Sequence, residues 1–102
     1  MSLLNKPLSL GNLTGVIYDF EVKGDVLSMH WHHPDNTHIS IVARGSFTAK
    51  GPTWERKLNC GDVVDWQAYQ QHEFIALEDN SRLVNIVKGT GEATSEFGPP
   101  PE

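Results

Sequence analysis

Five histidines carry most of the chemical potential of this sequence, and four of them, His30, His32, His33 and His38, fall within nine residues, with His72 further on. His30 and His32 are two apart. In an extended segment both imidazoles then project from one face, separated by ~7 Å of strand, while His33 points the other way. After a Pro34-Asp35-Asn36 turn the chain returns through 37–43, which brings His38 alongside, and His72 opens a later strand. Neutral imidazoles suit Zn, Cu, Fe and Ni, and three or four converging rings supply a metal's protein ligands. The spacing alone also fits solvated polar histidines, since His-x-His occurs in many strands that hold no ion.

Those histidines need strands to carry them. No helical period survives for more than about a turn, whereas short β-branched or aromatic runs bounded by Gly, Pro, Asn and Asp recur. The expected strands are 16–22, 26–33, 37–43, 47–49, 54–58, 62–66, 72–78 and 82–88. About eight antiparallel strands in 102 residues indicate one all-β domain, a sandwich or barrel. The expected domain spans 1–88, and the acidic Pro/Gly-rich stretch 89–102 reads as a flexible tail, with Phe97 its one large apolar side chain. Alternation puts Val26, Ser28, His30 and His32 on one face of the second strand and Leu27, Met29, Trp31 and His33 on the other. His38, Ser40 and Val42 oppose Ile39 and Ile41 in the next. An apolar outer face of Leu27, Met29, Trp31, Ile39 and Ile41 predicts a homodimer.

Eight Lys and Arg against thirteen Asp and Glu give a formal charge of −5. With no basic run, capture of nucleic acid or of an anionic membrane is not expected. The opening MSLLNKPLSLGNL has no apolar h-region or cleavage site, so no secretory signal is expected; no apolar run approaches ~18 residues, and the single Cys60 excludes an intrachain disulfide. A cytoplasmic protein is expected. Cys60 has no cationic neighbour in sequence to activate it, and Asp62 reads as a turn-fixing residue.

Gly24-x5-His30-x-His32-x5-His38-x6-Gly45 resembles the first motif of the cupins, G-x5-HxH-x3,4-E-x6-G, and the stretch from Gly61 to His72 resembles the second, G-x5-P-x-G-x2-H. Together with the strands between them they cover Gly24 to His72, about half the chain. The resemblance implies a cupin-type jelly-roll β-barrel. It also implies that His30, His32 and His72 bind one divalent transition metal (Fe, Mn, Ni or Zn), with His38 where the family usually has glutamate. Either His38 ligates, leaving a four-imidazole site at +2, or it stands aside and leaves a three-histidine site. The sequence departs from the second motif at Gln67 and Tyr69, which replace proline and glycine. A bulky residue resists the positive φ that glycine takes, so a differently built turn is expected there. Ala76 replaces a common asparagine.

Tyr18, Phe20, Ser40 and Phe74 share the expected inward phase and are the candidates for a substrate pocket, while Trp31 and Trp66 are assigned to outer or interface packing. With no inward carboxylate near the histidines, the metal must supply most of any catalysis. The function expected is a small metalloenzyme acting on a small organic, anionic ligand. Dioxygenase- or oxidase-type chemistry comes first, isomerase or lyase chemistry next, and a non-catalytic metal-dependent binding module is the alternative.

Overall fold

A computed structural model describes residues 3–89 and 94–101. Nine strands form among them: β1 (Leu3–Leu10), β2 (Leu13–Phe20), β3 (Val26–His30), β4 (His38–Arg44), β5 (Ser46–Lys50), β6 (Glu55–Asn59), β7 (Val63–Asp65), β8 (His72–Ala76) and β9 (Ser81–Val87). A 3-10 turn at Pro34–Asn36 joins β3 to β4. The strands make two antiparallel sheets, β1-β2-β9-β4-β7 and β3-β8-β5-β6. No strand pairing closes one sheet onto the other among the described residues. No helix there is long and apolar enough to cross a membrane.

The inward faces follow from alternation where the ladder is regular. Along β9, Ser81, Leu83, Asn85 and Val87 are buried, and along β8, His72, Phe74 and Ala76 are. Between the sheets Phe20, Phe47, Leu58, Trp66, Phe74 and Leu83 form one core, with the Phe20 and Phe47 rings edge to face at 4.8 Å. Each large apolar side chain removed from water there contributes roughly 1.5–3 kcal/mol before conformational entropy is counted. At Gly45 φ is +78°, and a Cβ would collide with the Ser81 side chain, so both conformation and space require glycine.

Three sequence expectations are corrected here. First, β1 was not anticipated, and it raises the strand total from about eight to nine. It is an edge strand, where Pro7 costs no ladder bond. Second, the face assignment of β3 fails before His30. Leu27 pairs with Phe74 and His30 with His72, three steps on β3 against two on β8, so a bulge lies between them. It turns Leu27 onto the core and leaves Ser28 exposed, the reverse of the simple alternation. Moreover β3 and β4 belong to different sheets, so Leu27, Met29 and Trp31 share no face with Ile39 and Ile41. Third, Tyr69 keeps the left-handed conformation, with φ of 65°, where a rebuilt turn was expected. Its N–H donates to the His32 carbonyl at 2.9 Å, tying that turn to the histidine segment.

Candidate metal centre

His30 and His72 face each other across the β3–β8 ladder, with ring centroids 4.3 Å apart. His32 lies beyond the end of β3, 5.1 Å from the His30 ring and 5.2 Å from that of His72. One ligand atom from each of His30, His32 and His72 lies within 4.8 Å of the other two, and all three side chains are buried. His38, the first residue of β4, joins them from the opposite sheet, its ring 3.8 Å from that of His32. His33 points away, exposed, 3.6 Å from the Glu96 carboxylate.

The hydrogen bonds decide which nitrogen of each ring is free. A main-chain carbonyl only accepts, so a ring nitrogen bonded to one must carry the proton. His30 Nδ1–H donates to the Ser28 carbonyl at 2.7 Å and His72 Nδ1–H to the Gln70 carbonyl at 2.8 Å, in each case two residues back along the chain. His32 Nδ1–H donates to the Thr94 carbonyl at 3.0 Å. Each ring therefore keeps its lone pair on Nε2. With His32 Nδ1 protonated, its Nε2 accepts from His38 Nδ1–H at 2.7 Å. The Nε2 atoms of His38 and His72 are buried without a hydrogen-bond partner.

Orphaned, buried imidazole lone pairs are unfavourable unless something fills the space between them. A divalent transition ion fits: imidazole is its common ligand, and backbone acceptors on the far nitrogen fix the ligating tautomer. Burial also keeps the rings neutral, as ligation requires. Desolvation, with smaller repulsion from neighbouring histidines, pushes His38 down to about 4, His32 to about 3 and His72 to about 2, and desolvation alone lowers His30.

Trp66 is the residue that sequence reasoning misplaced. It is buried, not at an outer surface, and stacks on His72 at 4.0 Å with an interplanar angle of 4°. Its indole N–H donates to Ser40 Oγ at 2.8 Å, and Ser40 Oγ–H donates to Asn85 Oδ1 at 2.6 Å. Ser40 thus anchors Trp66. The signal was present in β7 and the residue that follows it, where Val64 and Trp66 share the buried phase while Val63 and Asp65 are exposed. Of the other pocket candidates, Phe74 lies 5.9 Å from the His72 ring, Phe20 packs in the core, and Tyr18 is half-buried beside it, its phenol pKa raised by burial. Asp62 accepts from the Asn59 N–H, the turn-fixing contact expected of it, and Cys60 is exposed.

A cleft of about 430 Å³ opens between the edge strands β6 and β7 and is walled by Trp54, Arg56, Trp66, Gln67 and Gln70. Trp66 stands between it and His72, with Trp54 5.8 Å away on the cleft side. Arg56 makes no ion pair among the described residues and shares the cleft with Glu55 and with Asp65, which Lys88 pairs.

No protein-family model matches the chain, and no curated protein does. Solved structures do. KdgF from Halomonas sp. shares 24% identity over 83% of this chain and 78% of its own, with a TM-score of 0.73. A cupin superfamily protein from Desulfitobacterium hafniense shares 14% over 84% and 76%, with a TM-score of 0.72. A deletion mutant of oxalate decarboxylase from Bacillus subtilis shares 14% over 92% of this chain and 27% of its own, with a TM-score of 0.77. At these identities the likeness concerns the fold, and with two facing antiparallel sheets around a histidine cluster, the fold of this chain is that of the cupins.

Proposed function

We propose that this chain is a divalent-metal-dependent enzyme acting on a small organic anion. The observation that carries the proposal is the convergence of His30, His32 and His72, each with Nδ1–H engaged by a backbone carbonyl and its lone pair on Nε2, that of His32 becoming available to an ion once His38 gives up its hydrogen bond to it. His38 is proposed as a fourth ligand on its buried, partnerless Nε2. Fe, Mn, Ni or Zn would suit such a donor set. When bound, the ion supplies Lewis-acid or oxygen-dependent redox chemistry. The protein's own share is different. No carboxylate belongs to the convergent donor group, so the ion's charge stays uncompensated and favours anionic ligands. The Trp66–Ser40–Asn85 chain holds His72 in place.

Oxidation or oxygenative cleavage is the first reaction class, isomerase or lyase chemistry the second, and anion capture without turnover the alternative, since one fold hosts many activities. Oxalate decarboxylase, which shares the fold, is named for a small dicarboxylate. The test is metal analysis of protein purified without added metal, followed by oxygen uptake with thiols, diketones and phenols. Catalytic oxygen consumption supports the enzyme; saturable binding without turnover supports the binding module.

The proposed setting is a cytoplasmic homodimer, now with a different face. Ile17, Val84, Ile41 and Val63 line up across β2, β9, β4 and β7 on the outer side of the five-stranded sheet, with Ile39 and Ile86 beside them. A second copy is the simplest cover for such an aliphatic patch. Ile41→Lys is expected to shift a dimer to monomer in sedimentation; a wild-type monomer at micromolar concentration counts against it.

A further inference from the structure

His30 and His72 find their Nδ1 acceptors two residues back in the chain, but His32 finds its acceptor 62 residues away, on Thr94. The segment that supplies it is docked at several points. Trp31 and Glu96 exchange both main-chain hydrogen bonds at 2.9 Å. The Trp31 indole N–H donates to the Gly98 carbonyl at 3.1 Å, and the Asn36 amide donates to Thr94 Oγ1. Trp31 is consequently buried at 6% exposure although it lies outside the core. Phe97 brings its ring to 6.1 Å from that of His30.

We infer that residues 94–98 complete the metal centre, with the Thr94 carbonyl acting as the positioning group that holds His32 in its ligating tautomer. The inference rests on the metal-binding reading above and adds a component to it. Without Thr94 the His32 Nδ1–H loses its acceptor, and reversal of the His38–His32 hydrogen bond, which puts the proton on His32 Nε2, competes with the Nδ1–H tautomer. In the Nε2–H tautomer the ligating nitrogen carries a proton and donates no lone pair. Groups that orient a ligating histidine typically matter by about 10–100-fold in metal affinity. The docking of 94–98 and the loading of the ion are then linked, each favouring the other.

Imidazole nitrogen NMR on the full-length, metal-free chain tests this directly. The wild type should show His32 as the Nδ1–H tautomer, with a through-hydrogen-bond coupling to the Thr94 carbonyl. Glu96→Pro removes the N–H that pairs with Trp31 and should release the segment. His32 then becomes a tautomer mixture, while His30 and His72 stay Nδ1–H. Zinc affinity should fall by about 10–100-fold. Glu96→Ala keeps the main-chain pair, loses only the exposed contact with His33, and should stay within about fivefold of wild type. Should Glu96→Pro not fold, Trp31→Phe, which loses the donor to Gly98, is expected to change His32 in the same direction. A wild-type His32 protonated on Nε2, or Glu96→Pro with unchanged tautomer and affinity, overturns the inference. A wild type that shows the expected tautomer yet takes up no zinc refutes the metal reading instead.

Discussion

Acid should unfold the metal-free protein, and the size of the effect follows from the buried histidines. Their ordinary value is 6.5, and burial carries His38, His32 and His72 to about 4, 3 and 2. Below pH 6.5 the unfolded chain takes up protons that the folded chain refuses. The stabilisation is thus complete above the unfolded value and is lost as pH falls toward the folded values. At pH 5 each of these three rings is still mostly neutral in the fold and mostly charged when unfolded. A gap of about 1.5 units at ~1.4 kcal/mol per unit costs about 2 kcal/mol per histidine. Three together cost about 6 kcal/mol, with His30 adding in the same direction. A domain of this size has roughly 5–15 kcal/mol in total. Urea titrations in chelator at pH 7.5 and pH 5.0 measure the difference. A loss of several kcal/mol at an unchanged m-value is expected, and saturating zinc at pH 7.5 should raise the midpoint. Equal stability at the two pH values would refute the reasoning, because it would mean that the rings charge inside the fold.

Other expectations separate the parts of the site. His33→Ala should leave metal affinity unchanged, since His33 is exposed and turned away, whereas His38→Ala should lower it by about 10–100-fold and His38→Glu should restore binding with altered activity. Trp66→Ala should cost about 3–5 kcal/mol in denaturant unfolding, from the lost ring and from leaving Ser40 and His72 unsupported. Gly45→Ala should destabilise by at least about 1 kcal/mol, because it meets both a positive φ and the Ser81 side chain. At neutral pH, chelation should remove the ion and leave the circular dichroism of the sheets in place, since the core of Phe20, Phe47, Leu58 and Phe74 contains no ligand.

What was legible in the sequence is what short-range periodicity encodes. The alternation in β4, β8 and β9 shows directly in the burial of His38, Ser40, Val42, Phe74 and Leu83, and the glycines framing the histidines pointed to the jelly roll. Three features escaped for separate physical reasons. Pro7 masked β1, because a proline reads as a strand breaker unless the strand is known to be an edge. The bulge in β3 leaves no mark in residue type, yet it shifts the phase so that Leu27 and His30, three apart, share a face. The support of His32 by Thr94 spans 62 positions, and no local pattern encodes a contact of that range. Tyr69 shows the converse error, in which a steric preference was given more weight than the turn required. Its cost, of order 1–2 kcal/mol, is carried by the surrounding contacts, including the bond to His32 and the ring packed 5.6 Å from Trp31.

The central claim, that the Nε2 atoms of His30, His32 and His72 form a site for one divalent ion, is tested most directly by calorimetric titration of zinc into the metal-free chain, alongside His72→Ala and His33→Ala. The expected result is one ion per chain for the wild type and for His33→Ala, with binding abolished or weakened at least about 10-fold in His72→Ala. A wild type that takes up no zinc, or a His72→Ala variant that binds it as tightly as the wild type, would contradict the account.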